Sequence, residues 1–267
     1  MRLTLAIVLI SINVFAQGPY APVADSIGTT AIHKDSSAFI DWASACIIER
    51  GWKNITDITL GKTTTGDIYS ATEKSGVNGV VSLGDGGSAI LTFSSPIING
   101  NGPDFAVFEN AFNNTFLELA HVEVSSDGIN YFRFESSSLS QINSQIMYEV
   151  NATDIQNLAG KYRAQYGTPF DLEEMIGITN LDINNITHVK IIDVIGSINQ
   201  SYASYDSQGN IINDPFPTPY ETGGFDLDAI GVIHSFVGIE ESLNTFKVFP
   251  NPAKEKATII FDNLSDK

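Results

Sequence analysis

The stretch from Ala120 to Phe134 limits the possible folds more than any other. Ala120, Val122 and Val124 alternate with His121 and Glu123, a period of two that gives a strand one apolar face. Ser126-Asp127-Gly128 supplies turn chemistry, and Tyr131-Phe132-Arg133-Phe134 returns as a second strand. The same texture recurs along the chain. Ala89, Leu91 and Phe93 share one face, whereas Phe105-Ala106-Val107-Phe108 is apolar throughout, as in a strand covered on both sides. Further strands are expected at Val189 to Ile195 and Phe225 to Ile233. The pattern is that of an all-β, antiparallel β-sandwich.

Short helices are expected only in the connections. Asp35-Ser36 can cap a helix carrying Phe39, Trp42, Ala43, Cys46 and Ile47 at helical spacing before Gly51, the alternative being a turn followed by a strand. Asp154 to Leu158, ended by Gly160, reads as a second helix, and Asp171-Leu172-Glu173-Glu174 has capping-box spacing. Between them Lys161 to Pro169 forms a basic, aromatic loop. A polar loop with three prolines runs from Ser201 to Tyr220. Gly84-Asp85-Gly86-Gly87 has strands on both sides and no following helix, which makes it a hairpin turn and not a phosphate loop.

The two ends of the chain have a different character. Met1-Arg2 is basic, Leu3 to Phe15 is largely apolar, and Val14-Phe15-Ala16 offers a cleavage site before Gln17. Residues 1–16 therefore read as a secretory signal peptide, too short to span a bilayer. At the other end, Phe246-Lys247-Val248-Phe249-Pro250-Asn251-Pro252, running into Ala257-Thr258-Ile259-Ile260-Phe261, resembles the opening of the C-terminal sorting domain read by the type IX secretion machinery. That resemblance implies export through the periplasm to the medium or the outer cell surface. Residues 17–238 are left for the sandwich, 239–244 for a linker and 245–267 for an incomplete start of the sorting domain.

The chain of 267 residues holds 14 Lys and Arg against 31 Asp and Glu, a formal net charge of -17. Such a surface repels phosphates, which excludes nucleic acid and anionic lipid as partners. No later segment has the length and apolarity of a transmembrane helix. Cys46 is the single cysteine, so no intrachain disulfide is possible, and its apolar setting suits a small core residue.

Several phrases in the body resemble a family of exported, uncharacterised bacterial proteins. They are Val81-Ser82-Leu83-Gly84-Asp85-Gly86-Gly87-Ser88, Gly102-Pro103-Asp104-Phe105 through Phe112, Glu118 through Gly128, and Gly223-Gly224-Phe225-Asp226-Leu227-Asp228-Ala229-Ile230. More distantly, the strand-turn Val122 to Gly128 is similar to discoidin-like and galactose-binding-like modules. This implies an eight-stranded jelly-roll sandwich with binding loops at one end and no catalytic residues.

Asp226 and Asp228, two residues apart on one strand, would share a face at roughly 6–7 Å, with Phe225, Leu227 and Ala229 opposite. Carboxylates so spaced suit Ca²⁺, and related sandwiches hold a structural calcium near the last strand. Asp193 lies on the inward side with Val189 and Ile191, where a carboxylate has to be paired, hydrogen-bonded or metal-bound. Asn99 to Asp104 and Asp206 to Asn210 read as turns. The four histidines are scattered without zinc-ligand spacing. Tyr162, Arg163 and Tyr166 offer a platform on which a sugar could stack. Glu109 and Glu118 flank an Asn-rich loop and could serve as an acid/base pair.

The expectation is a secreted or cell-surface module that binds a glycan or another extracellular ligand without catalysis. A hydrolase or lyase acting on polysaccharide through Glu109, Glu118 and Asp193 is the alternative, and a structural adhesion or matrix protein a third. Exposed aromatics on one rim would mark the binder. A cleft with converging carboxylates, at least one of raised pKa, would mark the enzyme. A matrix protein would show neither.

Overall fold

In the computed structural model, residues 18–236 are described, together with the strands Phe246–Phe249 and Thr258–Phe261. The proposed signal peptide, linker and Pro-Asn-Pro turn lie outside them. Two antiparallel sheets build the body. One runs in the order β1 (Ile32–His33), β11 (Tyr166–Phe170), β6 (Phe105–Glu109), β13 (Asp226–Val232), β2 (Asp41–Trp42), with β4 (Val81–Ser82) also paired to β13. The other runs β3 (Ala45–Glu49), β5 (Ser88–Ile97), β12 (Ile186–Asp193), β7 (Ala120–Ser125), β8 (Phe132–Arg133). A small ladder joins β9 (Ser137–Ser138) to β10 (Ile155–Gln156). The strands exceed the eight that the jelly-roll resemblance implies. No helix among the described residues is long and apolar enough to cross a membrane.

The period-two residues fill the space between the sheets. Ala89 and Leu91 of β5, Val122 and Val124 of β7, and Val189 and Ile191 of β12 are buried in one cluster with Phe105, Val107, Leu227 and Ile230. Truncating one such side chain to Ala typically costs about 2–5 kcal/mol. All five residues of β6 are buried because the strand is covered twice: Phe105 and Val107 face the core, whereas Ala106 and Phe108 lie under Phe39 and Trp42. Gly231 sits in this outer layer. A Cβ there would fall 2.6 Å from the Phe39 ring, so only glycine lets the aromatics close over β13. Cys46 belongs to the main core, and burial pushes its thiol up to about 11.

Three local expectations need correction. The segment from Asp35 to Ile47 is not helical. It supplies β2 to one sheet and β3 to the other, with the chain crossing between sheets at Ala43-Ser44. Phe39 and Trp42 thus serve the outer layer and Ala43 and Cys46 the core, a division that mimics helical spacing. Asp154 to Leu158 is not a helix either: one 3-10 turn, Ala152–Asp154, leads into β10, where Ile155 pairs with Ser138. Gly84 to Gly87 does turn, but β4 and β5 belong to different sheets, so the turn crosses between layers and makes no hairpin. Leu172–Met175 does form a 3-10 turn, with Asp171 Oδ1 accepting the Glu173 amide at 3.0 Å.

The chain divides into two compact units, 1–236 and 237–267. In the second, β14 (Phe246–Phe249) pairs antiparallel with β15 (Thr258–Phe261), Phe246 lying opposite Phe261.

Candidate functional site

A second buried cluster lies beneath the long loops and includes Leu117, Leu119, Ile146, Val150 and Ile155. Leu117 and Leu119 both point into it, so alternation turns Glu118 the other way. The backbone around Glu118 is fixed from several sides. The Leu119 amide donates to Asp214 Oδ2 at 2.8 Å, the Val194 amide to the Leu119 carbonyl at 3.0 Å, and Ala120 bridges to Ala159. Gly160 completes this packing with a φ of +81°, and a Cβ on it would meet the Glu118 carbonyl at 1.9 Å.

Glu118 opens into a cleft of about 420 Å³ that it shares with Asp226 at the start of β13. Three loops build the walls, contributing Phe112 and Phe116, Met147 and Tyr148, and Thr218 and Tyr220. Asn113 shapes the first loop, its Oδ1 accepting the Thr115 and Phe116 amides at 2.8 Å each. The Val150 amide donates to the Thr115 carbonyl at 3.0 Å and docks the second loop against the first. The Phe116 ring consequently lies 5.6 Å from that of Tyr148 and 6.1 Å from that of Phe112. Phe112, Tyr148 and Tyr220 are exposed, at 85%, 66% and 66%. These values mark a rim of apolar surface and not a covered core.

The electrostatics of this end are unusual. Glu109, at the end of β6, is buried with its Oε2 accepting the Ala111 amide at 2.6 Å. Burial and then the neighbouring Asp226 raise its pKa well above the usual carboxylate range. Glu118 is raised for the same reason, burial first and then Glu109 and Asp226. Its Oε1 is fully covered and meets no hydrogen-bond donor. Asp226 is pushed to about 6 by burial, against the pull of the Ser82 hydroxyl that donates to its Oδ1.

The residues expected from the sequence fall into three groups. Asp193 is buried on the inter-sheet side, as its strand parity requires, and is hydrogen-bonded: Oδ1 accepts the Phe225 amide and Oδ2 the Gly86 amide. Asp226 and Asp228 do not share a simple strand face. The register of β13 against β6 shifts between Leu227 and Ala229, so Leu227 stays in the main core and Ala229 moves to the outer layer with Phe108. Asp228 is occupied elsewhere, by the Ser75 hydroxyl at 2.5 Å and the Gly76 amide at 2.9 Å. Among the described residues, no three His, Cys, Asp or Glu side chains gather as a metal site requires.

The basic, aromatic loop packs across the sandwich. Tyr162 is 1% exposed with its hydroxyl 2.7 Å from Thr30 Oγ1, so its ring is closed to a ligand and the stacking expectation fails for it. Arg163 covers Tyr166 at 4.6 Å, and both side chains bind Asp25 at 2.5 Å. These contacts hold the Asp25 carboxyl below its ordinary pKa, the Tyr166 hydrogen bond being the largest cause. Asp206 makes the expected turn, accepting the Gln208 and Asn210 amides. Asp104 has a larger role than its turn-like sequence suggests: it is fully buried and receives Gly100, Leu172 and His234.

Sequence reasoning missed the aromatic rim itself. Its one local sign was two phenylalanines in the Asn-rich loop after β6. Comparison of the chain with protein families, with curated proteins and with solved structures finds no match.

Proposed function

We propose that the protein is an exported, secreted or surface-held module that binds a glycan in the cleft between Phe112, Phe116, Tyr148, Tyr220, Glu118 and Asp226. Export rests on the basic-apolar-small order of residues 1–16, and the type IX route on the Pro-Asn-Pro segment. The observation that carries the binding reading is the exposed aromatic rim beside Glu118, a buried acid whose carboxyl has an oxygen without a protein partner. Sugar rings offer apolar C–H faces to aromatic side chains and hydroxyl donors to carboxylates, so a rim and floor of this kind suit them. Binding of soluble oligosaccharides by calorimetry, with and without Phe116→Ala and Tyr148→Ala, tests it.

One observation favours a second reading, glycan cleavage. Burial and the neighbouring acids raise Glu118 well above the usual carboxylate range, while burial pushes Asp226 in the same cleft only to about 6. Two carboxyl groups pushed apart in pKa can divide the acid and base or nucleophile roles of glycoside hydrolysis. Release of reducing ends, abolished by Glu118→Gln, is the result that selects this reading over simple binding.

A further inference from the structure

We infer that the cleft selects a positively charged sugar, one carrying free amino groups, over its acetylated, neutral or acidic counterparts. The inference rests on the glycan reading above and specifies the substrate class. Glu118 and Asp226 line the cleft and Glu109 is buried nearby, with Asp226 helping to raise both glutamates, and no Lys, Arg or His lines the cleft. Two of the three have donors of their own, the Ala111 amide for Glu109 and the Ser82 hydroxyl for Asp226. Glu118 is different. It is only 8% exposed, it lines the cleft, and its Oε1 finds no donor in the protein.

Like-charged, desolvated carboxyls are tolerated when they keep protons or when a cation joins them. An ammonium group set against the cleft-facing edges of Glu118 and Asp226 supplies the positive charge this floor lacks and brings up to three N–H donors. The walls suit the same group. The rings of Phe116, Tyr148 and Phe112 stand beside the acids, and aromatic faces attract ammonium ions while also covering the sugar's C–H surface. The wider field agrees, because a chain of net charge -17 draws polycations in and repels uronic or sulfated chains. N-acetylation removes both the charge and two of the donors, so the cleft should distinguish a glucosamine unit from its acetylated form.

The test is calorimetric titration of the purified full chain at pH 6 with hexamers of glucosamine, N-acetylglucosamine, glucose and galacturonic acid, and with hexalysine. The inference expects the glucosamine hexamer to bind at least about tenfold tighter than the acetylated hexamer, the scale of one charge-assisted contact. Galacturonic acid should not bind. Glu118→Gln should erase the preference, and Asp226→Asn provides an independent variant should the first not fold. Equal affinity for free and acetylated hexamers, both weakened by Tyr148→Ala, would overturn this inference and leave the glycan reading standing. Binding of hexalysine with no sugar bound would overturn the glycan reading and, with it, the choice of an amino sugar. No binding of any oligomer would overturn both.

Discussion

The Asp193 carboxylate accepts the Phe225 amide at 2.8 Å, tying the last residue of β12 in one sheet to the entry of β13 in the other. Its second oxygen takes the Gly86 amide at 3.0 Å, so one side chain holds three segments together at the cleft end of the sandwich. Asp193→Ala would leave both amides without their partner, at a cost of about 1–3 kcal/mol for each unsatisfied group. Urea unfolding of the variant should show a total loss of about 2–6 kcal/mol for the two groups, with an unchanged slope. A loss below the range would mean that water replaces the carboxylate without penalty.

The buried acids fix a direction for the pH dependence of stability. Glu109, Glu118, Asp193 and Asp214 are raised well above their ordinary values, chiefly by burial, while Asp85 is raised to about 7 and Asp226 to about 6. A carboxyl whose folded pKa exceeds its unfolded one holds its proton longer in the folded state. Its contribution is fully present below about pH 4 and is lost as pH rises through the folded value. His121 opposes the trend: burial lowers it to about 4, so its contribution is present above about pH 6.5 and lost as pH falls toward 4. The Lys161 amine, lowered by burial to about 8, also opposes it near the top of the interval, but six carboxyls outweigh one imidazole and one amine. The melting temperature should therefore fall steadily from pH 5 to pH 8 at constant ionic strength, and a rise over that interval would contradict the burial of these groups.

Tyr162 should matter for stability and not for ligand. Its hydroxyl meets Thr30 and its ring is buried, so Tyr162→Phe should cost about 0.5–1.5 kcal/mol, the net worth of one hydrogen bond. Oligosaccharide affinity measured beside the unfolding curve should not change. A selective loss of affinity would return this loop to the binding site.

Calcium has a direct test at Asp226 and Asp228. Ser82 holds the first, Ser75 and Gly76 the second, so both carboxyl groups already have protein donors. Melting curves in millimolar calcium and in chelator should coincide. A lower melting temperature in chelator, removed by Asp226→Asn, would instead assign an ion to this strand, because a ligand bound only by the folded state stabilises it by mass action.

What the sequence made legible followed from local periodicity. Val189, Ile191 and Asp193 alternate, and their common parity correctly put Asp193 between the sheets. The same reasoning failed at Asp228, where a bulge in β13 breaks the alternation, since nothing in Phe225 to Ile230 marks the extra residue. It failed again at Phe39 to Ile47, where one segment serves two sheets. The acids of the site were visible one at a time, as Glu109, Glu118 and Asp226. Their meeting was not, because Phe116, Tyr148, Tyr220 and Asp226 come together only when loops distant in sequence dock through contacts such as Val150 on Thr115. Burial and mutual repulsion then set the pKa values, and both are properties of the assembled end.

The most direct test of the central claim is the affinity of the full chain for oligosaccharide after changing the cleft rim and, separately, the basic loop. Phe116→Ala and Tyr148→Ala should each weaken binding by about 0.5–1.5 kcal/mol or more, as expected for the loss of aromatic contact. Tyr166→Ala, whose side chain is already held by Asp25 and Arg163, should leave it unchanged. The opposite pattern, with affinity lost at Tyr166 and intact at Phe116 and Tyr148, would contradict the assignment of the cleft as the binding site.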